Sequence, residues 1–159
     1  MADDAGQALK AIKIAMGSEK EAHDFYAQTA LKTSDPKGKD LLLQLAAFEE
    51  NHYSHLEKLF RSLEKEHTWI SYEGIRFGLK AKESPGTKSI PEGELNILRY
   101  AIEEEKKAEK NYRDFSERTD DALGKEMFRK LSEEEALHAR VLNDQLVSLA
   151  NKGVWVWGD

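Results

Sequence analysis

The 159-residue chain contains no cysteine, and glycine and proline together account for only 13 of its residues. The missing thiol excludes disulfide bonds, thiolate zinc sites, cysteine-ligated iron–sulfur clusters and cysteine nucleophiles. With so few turn-forming residues, and with 40% hydrophobic and 34% charged residues, the composition is typical of a soluble, largely helical protein. The length suits one domain with a single core.

Long apolar runs are also missing, because no stretch of 18 apolar residues occurs, so no membrane span is expected. Lys10 and Lys13 interrupt the apolar stretch near the N-terminus, which argues against a signal peptide. The net charge is −6 and no basic stripe is present, which weighs against binding to nucleic acid. We therefore expect a cytoplasmic protein that contacts neither membranes nor nucleic acids.

What the chain does contain is four long segments whose apolar residues recur in steps of three and four, the spacing of one helix face. These segments are far longer than the average globular helix, which favours a four-helix bundle. The prediction is one all-α domain over residues 1–159. Its helices are expected at about residues 5–33, 36–66, 93–118 and 122–151.

The breaks between the segments support this division. Asp35 and Pro36 form an N-cap followed by a proline at the first helical position, and residues 119–121 separate the last two segments in a similar way. Residues 67–92 are rich in glycine and proline and have no sustained helical period. We predict that they form a long crossover that returns along the bundle, so that the second and third helices run parallel.

The two halves of the chain are repeats of each other. Shifting the sequence by 86 residues aligns residues 12–63 with residues 98–149 without a gap and with 15 identities in 52 positions. Each half is therefore predicted to be a helical hairpin. The identical pairs that carry polar chemistry include Glu19/Glu105, Tyr26/Tyr112, Glu49/Glu135 and His52/His138.

Each predicted helix places one glutamate on its core-facing side, and the second and fourth helices add a histidine three residues later. A core rarely accepts an ionised carboxylate without a partner, and no lysine or arginine shares these faces. Two divalent cations would balance the four carboxylates, and carboxylate with imidazole suits iron, manganese or zinc. The predicted metal ligands are Glu19, Glu49, His52, Glu105, Glu135 and His138.

These residues also have structural interpretations. One Glu-x-x-His pair means little, but two at equal register, each 30 residues after a lone glutamate, favour a metal site over a bundle that kept the residues without the metal. Tyr26 and Tyr112 are candidate catalytic residues that donate to ligand carboxylates, or else buried aromatics that need any partner. Only the last glutamate of residues 103–105 and of 133–135 is expected to face the core, and His55 is expected to pack or lie on the surface.

Three motifs resemble the rubrerythrin family of the ferritin-like superfamily: Glu19-x-x-Ala22-x-x-x-Tyr26, Leu45-Ala46-x-x-Glu49-x-x-His52 and Leu131-x-x-x-Glu135-x-x-His138. The resemblance covers the four helices and implies a ferritin-like bundle with a crossover between helices two and three. It also implies two iron ions per chain, with manganese or zinc possible. By this resemblance Glu49 and Glu135 bridge the ions, Glu19 and Glu105 are terminal ligands, and His52 and His138 each bind one ion.

The chain departs from the family pattern in two ways. Full rubrerythrins append a rubredoxin domain with four cysteines, so here the electrons are expected from a separate, rubredoxin-like donor. Peroxidase members carry a further carboxylate one turn after the third-helix glutamate, where this chain has Ala108. The resemblance implies an oxidoreductase of oxidative stress that reduces hydrogen peroxide or dioxygen, in a homodimer or larger assembly. The alternatives are an iron-binding or ferroxidase storage protein without peroxidase turnover, and a structural bundle without metal.

The C-terminal tail has two open interpretations. Gly153 is expected to end the fourth helix, and Trp155 and Trp157 follow it in an alternating apolar stretch. The tail either folds back over the open end of the bundle or docks on a second chain, because tryptophan is enriched at interface cores.

Overall fold

The computed structural model describes residues 2–78 and 93–159, with side chains described from Gly6 onward. The described residues form four helices and no strand, which confirms the prediction of an all-α four-helix bundle. None of the helices in these ranges has a stretch long and apolar enough to cross a bilayer. The helices are α1 (Ala2–Leu31), α2 (Pro36–Glu66), α3 (Glu94–Arg118) and α4 (Ala122–Lys152).

The helix ends are fixed by capping residues that the repeat duplicates. The carboxylates of Asp35 and Asp121 each accept hydrogen bonds from the backbone N–H groups two and three residues later, which pairs two of the free donors at the start of α2 and of α4. At the other ends, His67 and Gly153 adopt left-handed conformations with φ of 54° and 72°. α1 ends earlier than predicted because the Lys32 N–H bonds to the Thr29 carbonyl and closes the last turn.

The helices pack as two hairpins, α1 with α2 and α3 with α4. One hydrophobic cluster joins the C-terminal parts of α1 and α4 to the N-terminal parts of α2 and α3, and a second cluster joins the opposite ends. Since α2 and α3 both begin at the first cluster, they run in the same direction. The first cluster includes Tyr26, Ala30, Leu41, Leu45, Leu98, Ala101 and Leu142; the second includes Ile12, Ala15, Leu56, Leu59, Tyr112, Phe128 and Leu131.

Residues 67–78, called the return segment below, run back along the bundle after α2. Trp69 lies in the second cluster, Tyr72 lies at mid-length near His55, and the Phe77 ring is 4.9 Å from Phe48 toward the first cluster. The remainder of the predicted crossover, residues 79–92, lies outside the described residues. The return segment thus covers the side of the bundle formed by α2 and α4.

The C-terminal tail folds back over its own bundle, which is the first of the two predicted arrangements. The Trp155 indole is 6% exposed, and its ring lies so close to α2 that a Cβ at Gly38 would be 2.5 Å from it. Its Nε1 donates to Glu94 at 2.8 Å, and the Trp157 Nε1 donates to Asp40 at 2.9 Å.

A tryptophan at the end of each half packs on the other half. Trp69 and Trp155 are related by the same shift of 86 residues, so the repeat extends past the helix ends. Trp155 packs on Gly38 of the first half, and Trp69 packs on Gly124 of the second, where a Cβ would be 2.7 Å from the ring. Each half therefore covers the beginning of the second helix of the other half.

Candidate metal centre

The six predicted ligand side chains converge at mid-length between the two hydrophobic clusters. Each is at most 3% exposed. Every helix contributes one glutamate, and α2 and α4 each add a histidine one turn later, because residues three apart share a helix face. The converging residues are Glu19 of α1, Glu49 and His52 of α2, Glu105 of α3, and Glu135 and His138 of α4.

The six side chains form two groups, each with ligand atoms within 4.8 Å of one another, and Glu49 and Glu135 belong to both. The His52 Nδ1 atom lies 3.4 Å from Glu19 and 3.3 Å from Glu135. The first group is Glu19, Glu49, His52 and Glu135; the second is Glu49, Glu105, Glu135 and His138. Glu49 and Glu135 therefore lie between the two histidines.

The six side chains also share an unusual feature, which is that part of each side chain is buried without a hydrogen-bond partner in the described part of the chain. Buried polar atoms are nearly always paired, and an unpaired one costs about 1–3 kcal/mol. Here every member of the cluster has a buried atom without a partner among the described residues. The unpaired atoms are Oε2 of Glu19 and Glu105, Oε1 of Glu49 and Glu135, and Nδ1 of His52 and His138.

Divalent cations fit this arrangement. Carboxylate and imidazole bonds to zinc, for example, are about 2.0–2.2 Å long, so ligand atoms on opposite sides of one ion lie about 4 Å apart. The separations in these groups, all within 4.8 Å, are compatible with that distance. Among the described residues, the ion pairs of the six side chains involve only glutamates and histidines, so no lysine or arginine neutralises them. The cluster is able to hold metal, while the ligand role of each residue stays a prediction.

In the absence of metal, crowding of the four buried glutamates shifts the pKa values within the cluster. Burial, with Glu135 nearby, raises the pKa of Glu49 well above its ordinary value and that of Glu105 to about 7. Burial acts in the same sense on Glu135, but contacts with both histidines outweigh it and lower its pKa. Burial disfavours charge on His52 and His138, yet the surrounding carboxylates raise the pKa of both. Protons therefore occupy part of this cluster when metal is absent.

Two tyrosines tie the halves together at the centre. The Tyr26 hydroxyl donates to Glu105 Oε1 at 2.6 Å, and the Tyr112 hydroxyl donates to Glu19 Oε1 at 2.5 Å. Burial raises the pKa of both phenols well above the ordinary value, which keeps them protonated as donors. Each tyrosine thus contacts the glutamate of the opposite half, while its catalytic role remains a prediction.

The expectation that Glu134 faces solvent is wrong. Its side chain is 12% exposed, and its Oε1 atom lies 2.8 Å from His52 Nε2. The Tyr72 hydroxyl also donates to this carboxylate. A signal existed in the repeat, because the position equivalent to Glu134 is Phe48, an apolar residue. Tyr72 had no such signal, since its position depends on how the return segment packs.

His55 has the packing role that was expected for it. Its ring lies 4.7 Å from the ring of Tyr72, beside the return segment. Burial lowers its pKa, so this imidazole is neutral near pH 7.

A cavity of about 280 Å³ between α1 and α3 leads to the centre. All four cluster glutamates line it and neither cluster histidine does. Ala22 and Ala108, which are equivalent in the repeat, both line it with small side chains. Ile14 and Tyr100 also line it, and they are 69% and 54% exposed. The cavity thus connects the carboxylates to the surface on the side of α1 and α3, opposite the return segment.

Comparison with protein families gives a match to the family described as Rubrerythrin over residues 4–70 and 96–154. Comparisons with curated proteins and with solved structures give no significant match. The matched ranges cover most of the chain and include both tyrosines and all six converging side chains. The buried glutamate and histidine cluster fits the di-iron carboxylate character that this match suggests. The chain therefore belongs to the rubrerythrin family.

Proposed function

We propose that this chain is a di-iron oxidoreductase that reduces hydrogen peroxide or dioxygen with electrons from a separate donor protein. The observation that carries the proposal is the pair of ligand groups that share Glu49 and Glu135, with an unpaired atom on each member. Six side chains around two ions leave coordination positions for an oxidant. Family membership favours iron over manganese or zinc.

Two ferrous ions held at this site would supply the two electrons that convert hydrogen peroxide and two protons to two molecules of water. Glu49 and Glu135, which belong to both groups, would fix the separation of the two ions. His52 and His138 would each bind one ion, and Glu19 and Glu105 would complete the two groups. A rubredoxin-like protein is the class of donor that would restore the ferrous state.

The protein supplies access and protons from one side. The cavity between α1 and α3 is far larger than a peroxide molecule, and it ends at the four carboxylates. Tyr26 and Tyr112 line the same cavity and donate to Glu105 and Glu19. These hydrogen bonds hold the carboxylates in one orientation, and the two phenols are proton donors that line the path of an entering oxidant.

The test begins with protein purified without oxygen. Elemental analysis should find two metal ions per chain, and the ferrous form should be oxidised by peroxide and restored by a reduced rubredoxin-type donor over many cycles. Glu49→Gln should lose metal and turnover, whereas Glu103→Gln, an exposed residue near Lys106, should change neither. A chain that retains no metal would contradict the proposal.

The ferroxidase or storage alternative gives a different result in the same experiment. Iron would be bound and oxidised by dioxygen, but peroxide turnover with the donor would not exceed the metal content. Comparing the moles of donor oxidised with the moles of bound iron therefore separates enzyme from storage protein.

A further inference from the structure

The two halves of the centre match in their ligand residues and differ behind the histidines. On one side, Glu134 Oε1 lies 2.8 Å from His52 Nε2. On the other, the equivalent position is Phe48, whose ring centre lies 4.4 Å from that of His138. The same repeat position is therefore a carboxylate behind one histidine and an aromatic ring behind the other.

Glu134 is held in place by the return segment. The Tyr72 hydroxyl donates to its Oε1 atom, and the Ile75 backbone N–H donates to its Oε2 atom at 3.1 Å. Gly74 between them has φ of +84°, and a Cβ there would lie 3.1 Å from the Glu134 carboxylate. Glycine permits this backbone turn and leaves room for the carboxylate that the turn binds.

His138 has no comparable support. Its Nε2 atom is buried without a hydrogen-bond partner among the described residues. The ring centre of Phe77 in the return segment lies 5.8 Å from that of His138, so two aromatic rings pack against this imidazole. The return segment therefore anchors the Glu134 carboxylate that contacts His52, whereas it contacts His138 only through the packing of Phe77.

This difference has a direct effect on the two imidazoles. With Nε2–H donating to Glu134, the His52 Nδ1 lone pair points at the cluster, and the negative charge makes that nitrogen a stronger donor to a cation. The hydrogen bond also fixes the ring, so less freedom is lost when an ion binds. His138 lacks both effects.

We propose that Glu134 is a positioning residue for His52 and makes the first ligand group the tighter of two unequal metal positions. This inference rests on metal binding as stated in the proposed function, but not on peroxide turnover. Loss of such a partner behind a ligating histidine typically weakens metal binding about 10–100-fold.

The test is a titration of the metal-free protein with ferrous ion under anaerobic conditions, followed by calorimetry, and repeated with cobalt(II) followed by absorption. The parent protein should take up two ions in two steps of different affinity. Glu134→Gln should weaken the tighter step about 10–100-fold and leave the other nearly unchanged. Glu133→Gln, an exposed neighbour that pairs with Arg129, is the matched control and should change neither step.

Two histidine variants show which of the two metal-binding steps depends on Glu134. In His138→Ala the remaining step should still weaken when Glu134→Gln is added, whereas in His52→Ala the added substitution should have no effect. Tyr72→Phe should give a smaller loss of the same step, because the carboxylate stays but one of its anchors is removed. Circular dichroism of each metal-free variant checks that the bundle is folded.

The outcomes separate this inference from the proposed function. Equal weakening of both steps, no weakening, or the same effect in both histidine backgrounds would overturn the role of Glu134 while leaving metal binding intact. A parent protein that binds no metal would overturn the proposed function and this inference together. Two unequal steps with the expected changes, but no peroxide turnover, would support this inference alone.

Discussion

Glu49 and Glu135 lie between both histidines, whereas Glu19 and Glu105 each belong to one ligand group. The two glutamates of one hairpin therefore differ, because the glutamate of α2 or α4 belongs to both ligand groups and the glutamate of α1 or α3 belongs to only one. Each of the four glutamates also has a buried oxygen without a partner among the described residues. Single substitutions should therefore differ in how much metal they remove.

The first prediction compares a shared with an unshared carboxylate. Glu49→Gln should reduce the metal content by more than one ion per chain, because both groups lose a ligand. Glu19→Gln should reduce it by about one ion. Elemental analysis after desalting measures this, and equal losses in the two variants would contradict the shared position of Glu49.

The second prediction concerns the tyrosine donors. Tyr26→Phe removes the 2.6 Å hydrogen bond to Glu105 but keeps the ring volume. The metal content should stay at the parent level, and the rate of ferrous oxidation by peroxide should fall by about 10-fold or more, as when a proton donor is lost. Stopped-flow absorption measures the rate. Tyr53→Phe is the control, since Tyr53 lies outside the cavity lining, and an equal fall there would contradict a special role.

At the scale of helices, the repeat governs capping and close packing. Asp35 and Asp121 begin α2 and α4 in the same way, and three residues later Gly38 and Gly124 each receive an indole. Glycine is required at both positions because a side chain would enter the space of the ring. At Gly6 and Gly17 in α1, by contrast, an added Cβ would meet nothing in the described residues within 4 Å.

The third prediction follows from that contrast. Gly38→Ala and Gly124→Ala should each lower the free energy of unfolding by about 1–3 kcal/mol, because the new methyl group displaces Trp155 or Trp69. Gly17→Ala in α1 meets nothing within 4 Å and should raise stability by up to about 1 kcal/mol through helix propensity. Chemical denaturation measures all three, and a stable Gly38→Ala protein would show that the indole contact carries no stability.

The helices and the six converging side chains could be predicted because helical spacing and the repeat are local properties of the sequence. Four glutamates at equal register must share a core when the helices carrying them pack together. The apolar Phe48 at the equivalent position indicates that Glu134 is mostly buried, but the partners of Glu134 could not be predicted, because Tyr72 and Ile75 lie about 60 residues away in an irregular segment. The tail had two arrangements on sequence grounds, and only the fit of Trp155 to Gly38 distinguishes them.

At the scale of the whole molecule, the cluster makes stability depend on pH. Glu49, Glu105, His52 and His138 all have raised pKa values in the metal-free protein. Each binds protons more tightly when folded, so unfolding releases protons and the free energy of unfolding falls as pH rises. For Glu105 the fall extends from pH 4.5 to about pH 7 and amounts to about 3 kcal/mol. Glu135, whose pKa is lowered, loses its stabilising contribution only below pH 4.5.

The fourth prediction is that metal reverses this trend. Bound cations require deprotonated ligands, so binding strengthens as pH rises. The melting temperature of the metal-free protein should fall between pH 5 and pH 8, and the difference between loaded and metal-free protein should grow over the same interval. Calorimetry at several pH values tests this, and a difference independent of pH would contradict a cluster of protonated acids.

The reciprocal tryptophan contacts between the two halves have a consequence for unfolding. Trp69 packs on Gly124 of the second half, and Trp155 packs on Gly38 of the first half. The tyrosine hydroxyls cross in the same reciprocal way, so an isolated hairpin would lack the partner of every one of these groups. Although the chain consists of two similar units in tandem, we expect that neither folds stably without the other. The two hairpins should therefore unfold together in a single cooperative transition, as the subunits of an obligate dimer do.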